Sequence, residues 1–250
     1  MSLAGRIALV TGTAGGIGKG VALSVAAAGA HVFCADLCDP SETVKEIMAA
    51  GGKAEGLQFD VGSSAGWLEA MQTTKRVGTV TLLANVAGVT PGAGGSSSDT
   101  ILNLEENEWN HIISTNLKSV WLGMKAVIPG MKAQGGGRIV NTSSMAALRG
   151  MPGMAAYAAS KGGIKSLTQQ AAAEYAHDNI LINVVAPGMI LTPVKFHDIP
   201  KFQAKAAEKQ LIGRLGEPSE VGALFVFLFG EGSFFTGHTF AADGGWSIKA

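Results

Sequence analysis

The sequence predicts an α/β fold: a doubly wound parallel sheet of about seven strands with helices on both faces. Three observations carry this expectation. Short apolar, β-branched runs alternate along the chain with longer segments of helical pattern. The first of these runs leads directly into a glycine-rich turn that opens a helix. No linker composition and no repeat at solenoid spacing divides the 250 residues, so they are read as one domain, 1–250.

The elements follow in order. Ile7–Thr11 is apolar and β-branched, as a strand buried on both faces should be. The pattern Ile17–Ala28 is the first helix and His31–Asp36 the second strand. Ser41–Ala50, Ala54–Phe59 and Ala65–Arg76 continue the alternation as helix, strand and helix. Val80–Asn85 is the fourth strand, and Glu106–Gln134 reads as one long helix. Gly137–Thr142, Tyr157–His177 and Leu181–Ala186 are strand, helix and strand. Ser219–Phe229 is a helix whose apolar end, Phe225 to Phe229, stops at Gly230, and Thr239–Ala242 is the last strand. Two segments stand outside the alternation. Thr90–Asp99 is rich in Gly and Ser and reads as a loop. Thr192–Gly216 carries Pro193, Pro200 and a short helical pattern at Phe202–Gln210. Both follow strand ends, where open parallel sheets bind ligands, so both are candidates to line the site, and 192–216 is the candidate lid.

Composition narrows the partners. The chain is 47% hydrophobic and 15% charged, against a usual charged share of ~25%. Mean hydropathy is +0.27. So little charge predicts apolar surface covered by sister subunits, hence a homo-oligomer. The formal net charge is zero, which supplies no basic field for nucleic acid or an anionic membrane. No apolar run approaches the ~20 residues of a membrane span, and Met1 to Val10 lacks the pattern of a signal peptide. Cytoplasm is the expected location. Cys34 and Cys38 are too few and too close for the zinc patterns and read as reduced thiols. His31, His111, His177, His197 and His238 show no ligand spacing, so no metal is expected.

Two stretches carry chemistry. The first is Thr11-Gly12-Thr13-Ala14-Gly15-Gly16-Ile17-Gly18, between a strand and a helix. Glycines there permit a tight turn and close approach to a pyrophosphate, and the helix start offers free N–H groups and a favourable dipole. Asp36 ends the second strand, where a carboxylate can accept bonds from ribose hydroxyls and repel a 2′-phosphate. With no arginine in the turn, that predicts NAD rather than NADP. The second stretch is Tyr157-Ala158-Ala159-Ser160-Lys161. On a helix, residues four apart share a face, which puts the Lys161 ammonium beside the Tyr157 phenol. The expectation is that the ammonium lowers the phenol pKa from ~10 and makes it a usable proton carrier.

With these residues in place, the chain resembles the short-chain dehydrogenase/reductase family in its compact single-domain form, from about Gly5 to Gly245. The family's Thr-Gly-x3-Gly-x-Gly motif falls on Thr11, Gly12, Gly16 and Gly18, and its Asp-Val pair on Asp60 and Val61. Its Asn-Asn-Ala-Gly segment appears as Asn85-Val86-Ala87-Gly88, with Val in second place. Asp243-Gly244-Gly245 matches the usual last strand ending. The resemblance implies a Rossmann-like fold and catalysis by Asn116, Ser144, Tyr157 and Lys161. It implies cofactor contacts at Gly12, Gly16, Ile17, Gly18, Asp36, Asp60, Val61, Asn85, Ala87 and Gly88. Tyr157, Lys161, Pro187, Gly188, Ile190 and Thr192 complete that set, the last two at the nicotinamide amide.

By the same resemblance Ser144, rather than its neighbour Ser143, faces the substrate oxygen, and Asn116 holds a water linking Lys161 to solvent. Tyr157 exchanges the proton with a small-molecule alcohol or ketone. A tetramer is the implied assembly. Met145, Met151, Met154 and Met189 flank these motifs, either as an apolar pocket or as core. The expected reaction is NAD-dependent interconversion of a secondary alcohol and a ketone. The alternatives are a 3-oxoacyl thioester reductase acting on an acyl carrier protein and a non-catalytic dinucleotide sensor or scaffold.

Overall fold

The computed structural model describes residues 2–90, 100–192 and 199–249. Its seven strands are β1 (Ile7–Thr11), β2 (His31–Asp36), β3 (Lys53–Gln58), β4 (Leu82–Asn85), β5 (Gly137–Thr142), β6 (Ile180–Pro187) and β7 (Thr239–Ala242). They form one sheet in the order β3-β2-β1-β4-β5-β6-β7, and every pairing is parallel. The order reverses between β1 and β4, and the crevice that opens beyond their carboxyl ends is the natural ligand position in such a sheet.

Side-chain alternation explains why both faces need cover. Ala8 and Val10 of β1 enter one core, and Leu9 enters the other. Val32 and Cys34 of β2 divide from Phe33 and Ala35 in the same way. Helices α1 (Gly16–Ala27), α2 (Ser41–Ala49) and α8 (Pro218–Phe229) supply Val21, Ile47 and Phe225 to the first core. The opposite face is covered by α3 (Ser64–Thr74), α5 (Ser119–Ala133) and α6 (Ala155–Tyr175), through Trp67, Val127 and Ile164. Each large apolar side chain so buried contributes about 1.5–3 kcal/mol. Burial at Cys34 pushes its thiol up to about 12, so this cysteine is an inert core residue. Helices α1 and α8 meet through glycine: a Cβ on Gly20 would run into Pro218, and one on Gly222 into Ser24.

Most expected elements are present with shifted ends. β4 starts at Leu82, two residues later than the apolar run. The expected helix Glu106–Gln134 is not uniform. It comprises α4 (Glu106–Ile113), a π turn at Ser114–Lys118, and α5. The backbone stays helical at both junctions, so the π turn widens a continuous rod. Asn116 sits in that turn, fully buried. The Tyr157 helix begins two residues early, at Ala155, which puts Tyr157 in its first turn. The short helix expected at Phe202–Gln210 is α7, Ile199–Lys209, and Pro200 lies in its first turn, where a proline costs no hydrogen bond, instead of closing a loop. Most of the Thr90–Asp99 loop lies outside the described residues, as do Pro193, Val194, Phe196 and His197 of the candidate lid.

Candidate active site

The turn after β1 is fastened on both sides. The Gly12 and Thr13 N–H groups donate to the Ala35 carbonyl of β2, at 2.8 and 3.2 Å. The Thr11 hydroxyl donates to the Ala84 carbonyl and accepts from the Val86 and Ala87 N–H groups at 3.0 and 3.1 Å. Gly12 has φ +77°, and a Cβ there would lie 2.8 Å from the Ala87 Cα. A Cβ on Gly18 would strike the Gly12 carbonyl. Gly16, at φ +55°, faces Thr192, whose Cγ2 would be 3.2 Å from a Cβ. The start of α1 has no side-chain cap and no acid in its first turn. Its free N–H groups, from Gly16, Ile17 and Gly18, therefore face an open, glycine-lined cradle.

Asp36 closes one side of the crevice. Its Oδ2 accepts the Ala14 N–H and its Oδ1 the Cys38 N–H, both at 2.9 Å. These bonds fix the carboxylate at the end of β2. Farther along, Asp60 Oδ1 accepts the Gly62 N–H at 2.8 Å, and the Val61 carbonyl accepts the Trp67 indole N–H at 2.9 Å. Asn85 is different. Its side chain turns into the core and donates to Asn141 Oδ1 at 2.8 Å, and Asn141 donates to Thr168 at 2.9 Å. Only the Asn85 backbone is left for the crevice.

The reactive groups gather beyond the ends of β4, β5 and β6. The Ser144 Oγ accepts the Ala146 N–H at 3.2 Å and lies close enough to the Tyr157 hydroxyl to influence its proton. Ser143 points the other way and donates to the Lys161 carbonyl at 2.8 Å. Lys161 is buried. Its Nζ donates to the Thr142 carbonyl at 3.0 Å and lies 5.6 Å from the Tyr157 ring centre. Gly88 joins this group: a Cβ there would be 3.0 Å from Asn116 Oδ1 and 3.4 Å from Lys161 Nζ.

One expectation is corrected. The Tyr157 phenol is not lowered by its neighbour. Burial pushes it above the ordinary tyrosine value, with the Ser144 hydroxyl as the opposing influence. Desolvation of the charged form outweighs the stabilisation, so the resting group is a neutral phenol.

Asn116 is a clamp. Its Oδ1 accepts the Val89 N–H at 2.8 Å, and its Nδ2 donates to the Val89 carbonyl at 3.0 Å and to Ser160 Oγ at 3.1 Å. Ser160 donates in turn to the Tyr157 carbonyl at 2.7 Å. Both amide N–H groups are thus spent on protein partners, so the water relay implied by the resemblance has the remaining acceptor and the main chain to use.

Past β6, Gly188 donates to the Ala242 carbonyl at 3.0 Å, and Leu191 donates to that of Gly216 at 2.8 Å. Ile190 is buried beside this bridge. Thr192 Oγ1 is buried and has no hydrogen-bond partner among the described residues. Sequence reading passed over Gln210, which is 3% exposed. Its Oε1 accepts the Met189 N–H at 2.6 Å and its Nε2 donates to the Arg214 carbonyl. A glutamine at a helix end carries no signal of this; only burial beside Gly188, where a Cβ would strike its Oε1, reveals it.

A cradle that any side chain at Gly12 or Gly18 would fill, an uncapped helix start and an orphaned buried hydroxyl at Thr192 fit a dinucleotide laid across the crevice. Among the described residues no group of three or more His, Cys, Asp or Glu could hold a metal ion, and no helix is long and apolar enough to cross a membrane.

A parallel sheet with a phosphate-type turn and a Ser–Tyr–Lys cluster beyond its strand ends defines a class of nucleotide-dependent oxidoreductases. Comparison with known proteins agrees. The family model described as enoyl-(acyl carrier protein) reductase matches residues 12–247, and the chain belongs to the short-chain dehydrogenase/reductase family. It is 37% identical over 249 residues to a cyclohexanol dehydrogenase of Acinetobacter sp., covering 98% of this chain and 96% of that one. A 3-oxoacyl-[acyl-carrier protein] reductase from Brucella melitensis, solved with bound NAD, superposes with a TM-score of 0.91 at 31% identity, covering 99% of this chain and 93% of that one. An Agrobacterium tumefaciens protein provisionally assigned as a 2-deoxy-D-gluconate 3-dehydrogenase, solved with bound NADP, gives 0.88 at 31% identity and covers 99% and 98%. The protein is an oxidoreductase using a nicotinamide dinucleotide.

Proposed function

We propose that this enzyme interconverts a secondary alcohol and a ketone with NAD as the preferred cofactor. The observation that carries the reading is the Tyr157 phenol placed between the Ser144 hydroxyl and the Lys161 ammonium, the latter 5.6 Å from the Tyr157 ring centre. Two hydroxyls that both donate and accept can hold one substrate oxygen in its alcohol and its ketone form. The cofactor, when bound, supplies or accepts the hydride. Gly12, Gly16, Ile17 and Gly18 would hold its phosphates, Asp36 its adenosine ribose, and Ile190 and Thr192 its carboxamide. Tyr157 gives its proton to the forming alkoxide during reduction and takes it back during oxidation. The neutral resting phenol is ready for the first of these. Lys161, anchored on the Thr142 carbonyl, stabilises the phenolate once it forms.

Asp36 supports NAD, because its carboxylate would face the extra phosphate of NADP and the turn carries no arginine to neutralise it. A homotetramer is part of the same proposal, supported by the low charge and by exposed Trp109, Trp121 and Phe234. So are a single domain, a cytoplasmic location and a lid at 192–216. The likeness to the Brucella melitensis protein favours a second reading, reduction of a 3-oxoacyl thioester.

The test is Tyr157→Phe. With a secondary alcohol and NAD, the variant should lose essentially all turnover and still bind dinucleotide. Near-normal rates in Tyr157→Phe would overturn the proton path. A screen of cyclic alcohols against 3-oxoacyl thioesters separates the two substrate readings.

A further inference from the structure

The opposite end of the sheet holds a feature that the reaction does not use. A cavity of about 590 Å³ opens at the amino ends of β1 and β5. Its walls are turns, with Gly5, Gly78, Gly135 and Gly136 all at positive φ. A Cβ on Gly5 or Gly135 would meet nothing within 4 Å, so the space is open. Arg6 and Arg138 both line it.

The two guanidinium groups are held but not neutralised. Arg6 donates to the Thr81 hydroxyl at 3.1 Å and to the Thr81 carbonyl at 3.5 Å. Arg138 donates through one nitrogen to the Gly137 and Asn179 carbonyls, at 2.9 and 3.1 Å. Its Nε is buried and has no partner among the described residues. Neither arginine forms an ion pair with a described carboxylate. Asp178, next to Asn179, is committed to Lys132 at 2.8 Å. Burial holds both guanidinium groups below their ordinary pKa, and for Arg138 repulsion by Arg6 adds to it. Two half-buried cations that repel each other without a counter-charge cost free energy, and an anion between them would recover it.

We propose that the cavity between Arg6 and Arg138 is a binding site for a small oxyanion of the phosphate or dicarboxylate class, separate from the catalytic crevice. The free N–H groups of two arginine forks suit an anion with several acceptor oxygens, since guanidinium pairs with such groups bidentately. The glycine turns leave room for the rest of the molecule. Because β1 and β5 run from this cavity to Thr11 and to Thr142, two residues before Ser144, occupancy would stiffen the strands that carry the catalytic cluster.

Titration with inorganic phosphate, and separately with succinate, at constant ionic strength set by chloride, tests the site by thermal shift and hydrogen exchange. The expected result is a saturable rise in Tm for at least one anion, with new protection at Gly78–Thr81 and Gly135–Arg138. Phosphate acting alone would mark the site as one for phosphoryl groups; both acting would mark a general oxyanion site. In Arg138→Gln and in Arg6→Gln the apparent affinity should fall about tenfold, with turnover of the alcohol unchanged. If one variant fails to fold, the other and the exchange map still decide. The proposal is overturned if neither anion gives a saturable shift, or if protection is confined to Gly12–Lys19. Undiminished affinity in a folded variant would also overturn it.

Discussion

Asn116 grips Val89 by both backbone groups, accepting its N–H at 2.8 Å and donating to its carbonyl at 3.0 Å. That pairing fastens the segment after β4 to the π turn of the long helix. A third bond, to Ser160, carries the connection to Tyr157.

Asn116→Leu should therefore cost more than its volume suggests. It leaves the half-buried Val89 N–H and carbonyl without their Asn116 partners and takes one of two bonds from Ser160, at about 1–3 kcal/mol for each group that water cannot reach. Chemical denaturation should show a loss of at least ~2 kcal/mol, and kcat should fall by more than KM rises. A variant as stable as the parent would show that the clamp contributes nothing.

Tyr157 titration can be read directly, because the chain has only two tyrosines. In Tyr175→Phe, ultraviolet difference absorbance reports Tyr157 alone. The ligand-free phenol should titrate above the ordinary value of 10.0, since burial is the leading influence. The sign for stability follows. The folded state holds the proton longer than the unfolded one, so this contribution is intact below pH ~10 and is lost as pH rises through the folded value. A titration below 10 in the ligand-free enzyme would mean that the Ser144 hydroxyl and the Lys161 ammonium outweigh burial.

Asp36→Ala should narrow the preference for NAD over NADP. A carboxylate held by Ala14 and Cys38 has no freedom to turn from a 2′-phosphate. Removing that repulsion should shift the ratio of kcat/KM values by about tenfold or more, the equivalent of ~1.4 kcal/mol. Steady-state kinetics with both cofactors checks it, and an unchanged ratio would move the source of discrimination elsewhere.

Gln210 ties the end of α7 to Met189, next to the Pro187-Gly188 turn. Gln210→Leu should loosen this tie, raising KM for the substrate several-fold and leaving dinucleotide affinity close to normal. Hydrogen exchange with NAD and a substrate analogue should show added protection across 199–216 in the parent and less in the variant. Equal protection with and without ligands would remove this segment from substrate closure.

Much of this molecule is legible in the order of its residues. Parallel strands buried on both faces must be short apolar runs, so β1, β2 and β5 announce themselves. A turn that packs backbone against backbone admits only glycine, so Gly12 and Gly18 are visible without coordinates. The Tyr157 to Lys161 spacing is equally local, because four residues make about one helical turn. Other properties depend on what lies across the fold. The π turn at Ser114–Lys118 leaves no periodic trace, because it shifts the register by a single residue. Whether Ser143 or Ser144 faces Tyr157 is settled by which hydroxyl Lys161 captures with its carbonyl. The sequence places an ammonium beside a phenol but cannot say how much water is left there, and water decides the proton's affinity. Gln210 and the Arg6–Arg138 pair are brought to their partners from 21 and 132 residues away, distances over which only tertiary packing acts.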